Sequence, residues 1–238
     1  MDISQKQAPE PDMPRREKVA ARTVRPRDAA TMILTRQSSD GLSVLMGKRS
    51  SAHTFMPDLY VFPGGRVDPE DSRPPVLSDM SEGCYSQMSV RTRRSLRAFP
   101  LAAIRETFEE TGLLIGKPQR MECSPPLNWK AYFDLGVSPC LSGIRYFGRA
   151  ITPPSRPKRF DARFFIADAS DVLVGDPTPS DSAELTDLNW LPIQDALDTE
   201  IPLITRFVLS RIQTYLQSDP DTYSPFMFKK GVSAALVK

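Results

Sequence analysis

The segment that leaves this 238-residue chain the fewest options is Arg105-Glu106-Thr107-Phe108-Glu109-Glu110-Thr111-Gly112-Leu113. Pro100 suits the first turn of a helix, Leu101 to Thr111 carries good helix formers, and Gly112 stands where a left-handed C-terminal cap belongs, so the spacing predicts a helix over about 100–111. On that helix Glu106 precedes Glu109 by three residues and Glu110 by four. All three carboxylates therefore share one face within about one turn. Like charges stacked this way repel. Either the face is solvated, with Arg105 forming an ordinary i,i+4 ion pair to Glu109, or the fold supplies positive charge to it.

Upstream, FPGGRVDPED favours the second reading. A Gly-Gly turn leading out of the extended piece LYVF can carry backbone carbonyls and amides close to the carboxylates, because no Cβ stands in the way. Oxygen donors of this kind suit hard divalent cations; Mg²⁺ takes one or a few carboxylates and keeps water and substrate phosphate in its remaining positions.

The rest of the chain supplies a scaffold. AATMILT from about Ala29 and LSVLMGKR read as two strands joined by the QSSDG turn, a hairpin. RFDARFFIAD alternates, with Phe160, Ala162, Phe164 and Ile166 on one face and Asp161, Arg163 and Phe165 on the other, and Leu188 to Pro192 around Trp190 reads as a further strand. Ile201, Ile204, Val208, Ile212 and Tyr215 recur at helical spacing, which predicts an amphipathic helix over about 201–217. Strands and helices mix without regular βαβ alternation, so the expected architecture is α/β, a mixed sheet sandwiched by helices. Residues 1–22, polar and without aromatics, are expected to be a flexible tail before one domain over 23–238. Within it, about 72–98 loses periodicity and reads as an insertion or surface subdomain.

Composition narrows the partners. The 31 Lys and Arg against 29 Asp and Glu leave a net charge of +2, which argues against a nucleic-acid binder. No apolar run approaches the roughly 18 residues of a membrane span, so no membrane partner is expected. Three cysteines, Cys84, Cys123 and Cys140, show no CxxC spacing and are expected to be small, partly buried hydrophobes; with no apolar stretch of the signal-peptide kind near the start, a cytoplasmic protein is the expectation.

Taken together, the Gly-Gly turn and the glutamate helix resemble the signature of the Nudix hydrolases, Gly-x5-Glu-x7-Arg-Glu-U-x-Glu-Glu-x-Gly-U, where U is aliphatic. Arg105, Glu106, Glu109, Glu110, Gly112 and Leu113 all stand in place, with Thr107 where an aliphatic residue belongs. The first half departs. Counting from Gly65, the first glutamate position holds Asp71, and Glu70 fits only if the count starts at Gly64. Between Asp71 and Arg105 stand 33 residues where the signature has 7, an insertion of 26. The insertion, the upstream KRSSAHTFMPDLYVFPGG and the downstream ITPPSRPKRFDARFFIA look like the CoA and acyl-CoA diphosphatase-like subgroup.

The resemblance implies a Nudix-type α/β/α sandwich and hydrolysis of the pyrophosphate in a nucleoside diphosphate linked to another moiety. CoA or acyl-CoA is the favoured substrate and ADP-ribose or NADH the alternative; a nucleotide sensor that does not cleave is the alternative of another class. It implies that Glu106, Glu109 and Glu110, helped by the backbone carbonyl of Gly64, bind Mg²⁺ or Mn²⁺, that Arg105 orients a glutamate, and that an acid outside the signature assists. Glu184 is the candidate for that acid, with Asp181 and Asp187 as competitors. Asp71, shorter and beyond a long insertion from the helix, is expected to contribute less than the three glutamates. Arg93 and Arg94, in the cluster Arg91, Arg93, Arg94 and Arg97, are the candidate substrate contacts; Lys48, Arg49, Arg149 and Arg163 are alternatives. His53, the single histidine, is read as a loop or packing residue.

Overall fold

The computed structural model describes residues 24–39, 41–51, 57–88, 92, 94–218 and 223–229. The N-terminal tail, His53, Arg91 and Arg93 lie outside the described residues.

The chain opens with the expected hairpin, β1 (Arg27–Ser38) and β2 (Gly41–Arg49), paired antiparallel from Thr35↔Val44 to Ser38↔Gly41. Two short strands follow, β3 (Tyr60–Val61) on β2 and β4 (Gly64–Arg66) on β1. Then come α1 (Glu82–Gln87), α2 (Ala98–Thr111), β5 (Leu114–Lys117), α3 (Lys130–Asp134), β6 (Ser138–Pro139), β7 (Arg145–Ile151) and β8 (Phe160–Asp168). The described order closes with α4 (Ala169–Val172), β9 (Leu173–Val174), β10 (Leu185–Pro192), α5 (Ile193–Asp198), α6 (Leu203–Leu216) and β11 (Phe226–Lys229).

The large sheet runs β10-β2-β1-β8-β7-β11, with β1–β8 and β7–β11 parallel and the other pairs antiparallel; β6-β5-β9 form a small second sheet. The middle of β1 is buried at consecutive positions, Met32 to Thr35, rather than in alternation, as a strand covered on both faces must be. Its Ala30, Met32 and Leu34 join one core with Leu101, Ile104 and Phe165, while Ile33 joins the other with Val208, Leu209 and Ile212. Thus α2 covers one face and α5 with α6 the other, the mixed α/β sandwich expected from sequence.

The insertion is not a surface appendage. Met80, Cys84 and Met88 belong to the core on the α2 side. Backbone bonds from Leu77 N to Pro139 O and from Leu141 N to Ser78 O, each 2.9 Å, tie it to the loop after β6. The side chain of Ser81 caps α1 by accepting from Cys84 N. All three cysteines are free thiols; Cys84 and Cys140 are buried, while Cys123 is exposed rather than partly buried as expected.

Candidate active site

The site forms where α2 crosses β4. Helix α2 ends as its sequence dictates: Gly112 takes φ 74° and its N–H bonds to Phe108 O at 2.8 Å. Thr107, the departure from the aliphatic position, is fully buried and satisfied by donating its hydroxyl to Ala103 O at 2.7 Å. The two glycines of the turn are both required. Gly64 has φ 154°, and a Cβ there would lie 2.4 Å from Ala30 O. A Cβ on Gly65 would lie 2.3 Å from Oε2 of Glu106.

Arg105 is the hub. It is 4% exposed. Its Nε and Nη2 donate to the two oxygens of Asp71 at 2.9 and 3.1 Å, Nη2 also donates to Arg66 O at 2.9 Å, and Nη1 lies 2.9 Å from both Glu109 Oε2 and Glu106 Oε1. Burial works against the guanidinium charge, but the bond to Asp71 and the charges of Glu106, Asp71 and Glu109 outweigh it, and the proton is held more tightly than in water. Nη1 of Arg105 thus lies between the carboxylates of Glu106 and Glu109.

The second half of this hub was not anticipated. Asp71 is 0% exposed, so the position reached by counting from Gly65 is the one that meets the arginine, and the signature closes across its 26-residue insertion. Far from being peripheral, Asp71 also accepts from Asp68 N at 2.8 Å and from Trp129 Nε1 at 3.0 Å. Trp129 gave no signal in the sequence; it lies 58 residues further along, in the one-turn segment Leu127–Trp129 before α3.

The carboxylates outnumber the positive charge beside them. Burial pushes the Glu106 carboxyl up to about 7 against the pull of Arg105, with repulsion from Glu109 and Glu184 adding to it. Burial raises Glu109 as well, again opposed by Arg105. Glu110 is driven well above the usual range, mainly by burial; the Gly64 amide and Arg49 counter this in part, while Glu106 and Glu184 reinforce it. The contact at Gly64 runs through its N–H, which donates to Glu110 Oε2 at 2.7 Å, and not through the carbonyl that the resemblance implied. Among the described residues no three His, Cys, Asp or Glu side chains converge as a ready cage: Glu106 and Glu109 face Arg105, and Glu110 faces Gly64. The donor set nonetheless fits a hard divalent cation, being all oxygen and short of compensating charge.

Glu184 is exposed at the start of β10, and its charge is felt by both Glu106 and Glu110. Its competitors are engaged elsewhere: Asp181 accepts from the amides of Asp187 and Leu188 at 3.0 and 3.1 Å, and Asp187 accepts from Tyr60 and Asn189. Arg94 is paired through its Nε with Asp28 at 3.2 Å. Arg149 is paired with Asp161, and Arg163 is fully buried over the Phe99 ring. Arg49, by contrast, is near enough to lower Glu110.

No family model matches the chain. Among curated proteins it is similar to nudix hydrolase 7 of Caenorhabditis elegans, 29% identical over 185 residues that cover 72% of this chain and 53% of the relative. It is also similar to the acyl-coenzyme A diphosphatase NUDT19 of Xenopus laevis, 25% identical over 208 residues that cover 65% and 54%. The chain spans about half the length of these curated relatives. Among solved structures, a NUDIX hydrolase from Alicyclobacillus acidocaldarius superposes with a TM-score of 0.59 at 25% identity, covering 82% of this chain and 96% of that one. With the closed signature and the mixed sandwich, these likenesses make the chain similar to Nudix hydrolases in both sequence and fold.

Proposed function

We propose that this protein is a metal-dependent pyrophosphohydrolase that cleaves a nucleoside diphosphate linked to another moiety, with CoA or an acyl-CoA as the favoured substrate. The observation that carries the reading is the Arg105 hub. One buried guanidinium, locked by Asp71, holds Glu106 and Glu109 beside a Glu110 whose burial and neighbours leave it short of positive charge. In this reading Glu106, Glu109 and Glu110 hold Mg²⁺ or Mn²⁺. The cation would polarise a phosphoryl oxygen and lower the pKa of the attacking water.

The chain's own part is positioning, which is most of what phosphoryl transfer asks of a protein. Arg105 fixes two glutamates, Gly65 leaves room for Glu106, and Gly64 N–H fixes Glu110. Glu184, exposed beside them, is assigned the proton acceptor outside the signature. The CoA preference is supported by the likeness to the Xenopus laevis acyl-coenzyme A diphosphatase and rests on that likeness alone. Incubation with Mg²⁺ or Mn²⁺ and a panel of CoA, acyl-CoA, ADP-ribose and NADH, with products resolved chromatographically, tests it. The expected products from CoA are 3′,5′-ADP and 4′-phosphopantetheine. Faster turnover of ADP-ribose than of any CoA species would overturn the substrate and leave the chemistry standing.

A further inference from the structure

We propose that Trp129, which stands outside the signature, is a positioning residue for the metal-binding glutamates, acting through Asp71 and Arg105. The proposal rests on the metal-dependent reading above. The chain of contacts is continuous and dry: Trp129 and Asp71 are both 0% exposed and Arg105 is 4% exposed. Each Asp71 oxygen receives two donors. Oδ1 accepts from Arg105 Nε and Trp129 Nε1, and Oδ2 from Arg105 Nη2 and Asp68 N. Four donors from three residues, two of them distant in sequence, hold the carboxylate in place. The guanidinium plane that it grips therefore has one orientation, and Nη1 of that plane lies 2.9 Å from Glu106 and from Glu109.

Trp129 also explains how an aspartate serves where the signature has glutamate. Asp is one methylene shorter, and the indole N–H supplies the second donor to its Oδ1. The indole is itself held by packing, its ring 5.3 Å from Tyr132, whose hydroxyl donates to Ile115 O. Residues 71 and 129 thus form one unit with the arginine. Loss of the indole N–H leaves Oδ1 with a single donor in a site where unpaired polar atoms are costly and networks weaken as a whole.

The test is Trp129→Phe, which keeps an aromatic ring and removes the N–H. Partners that orient metal ligands are worth about 10–100-fold in affinity or activity. We therefore expect the Mn²⁺ dissociation constant from calorimetry to rise at least several-fold and kcat to fall similarly, with KM little changed. Asp71→Asn, of equal volume, must shift Mn²⁺ affinity in the same direction. Asp71→Glu alone meets the indole and impairs both readouts, whereas Asp71→Glu with Trp129→Phe recovers part of the loss. A purely structural tryptophan would lower the melting temperature of Trp129→Phe but leave its Mn²⁺ affinity and kcat at wild-type values, and that result overturns the proposal, as does strict additivity in the double variant. If the wild type neither binds Mn²⁺ nor cleaves any substrate, it is the functional reading that has failed.

Discussion

Gly65→Ala puts one methyl group against the carboxylate of Glu106 and little else. The added Cβ would lie 2.3 Å from Oε2, 2.4 Å from Cδ and 2.6 Å from Oε1. Ordinary contact needs about 3.4 Å or more, so the carboxylate must retreat by roughly 1 Å. It cannot do so freely, because Oε1 is held 2.9 Å from Arg105 Nη1. Elsewhere the substitution is mild, since Gly65, unlike Gly64, does not take a positive φ. A misplacement of about 1 Å in a positioned group costs on the order of 10²-fold in rate. The expected outcome is therefore a loss of about 10²-fold in kcat, measured on the best substrate at saturating metal, with a stability cost near 1 kcal/mol or less by denaturant titration. Wild-type kcat in Gly65→Ala would refute the claim that the Glu106 position matters. Global unfolding would show that the turn, not the carboxylate, was being probed.

Two further outcomes follow from the same charges. Because burial holds the Glu106 carboxyl up to about 7, above its usual 4.5, the folded metal-free protein binds that proton more tightly than the unfolded chain. Its stabilising contribution is full below about pH 4.5 and is lost as pH rises towards 7, by up to about 3 kcal/mol. Denaturation in EDTA across this window should show the decline, added Mn²⁺ should reverse it, and stability that rises with pH in EDTA would sink the idea. Arg94→Ala, removing a half-exposed pair with Asp28, should cost no more than about 1 kcal/mol and leave the ratio of kcat/KM for CoA and dephospho-CoA unchanged; a narrowed ratio would restore Arg94 as a contact to the adenosine 3′-phosphate.

The elements that could be read from the sequence are those whose periodicity or punctuation is local. The β1–β2 hairpin has its turn, α2 its proline and glycine, β8 its alternation, and α6 its apolar stripe from Val208 to Tyr215. Strand β7 escaped because it is buried at four consecutive positions, Tyr146 to Arg149, between β8 and β11, and so does not alternate. The insertion was misjudged because Met80, Cys84 and Met88, a four-residue apolar spacing, are hidden among polar and proline residues.

In the site, the three glutamates and Arg105 were legible because a helix turns spacing into a shared face. The contact of Asp71 with Arg105 was not legible, because 33 intervening residues conceal that the chain returns there. Trp129 was invisible for the same reason: its role is a contact made by tertiary packing, with no local pattern to announce it.

If these carboxylates hold a divalent cation at a pyrophosphate, CoA cleavage by the wild type and by Glu110→Gln must respond differently as Mn²⁺ is titrated into EDTA-treated protein. The expected outcome is no turnover before metal is added, a saturable rise to full activity in the wild type, and a kcat lower by orders of magnitude in Glu110→Gln with the fold retained. Equal turnover in EDTA, or a Glu110→Gln variant as active as the wild type, would contradict it.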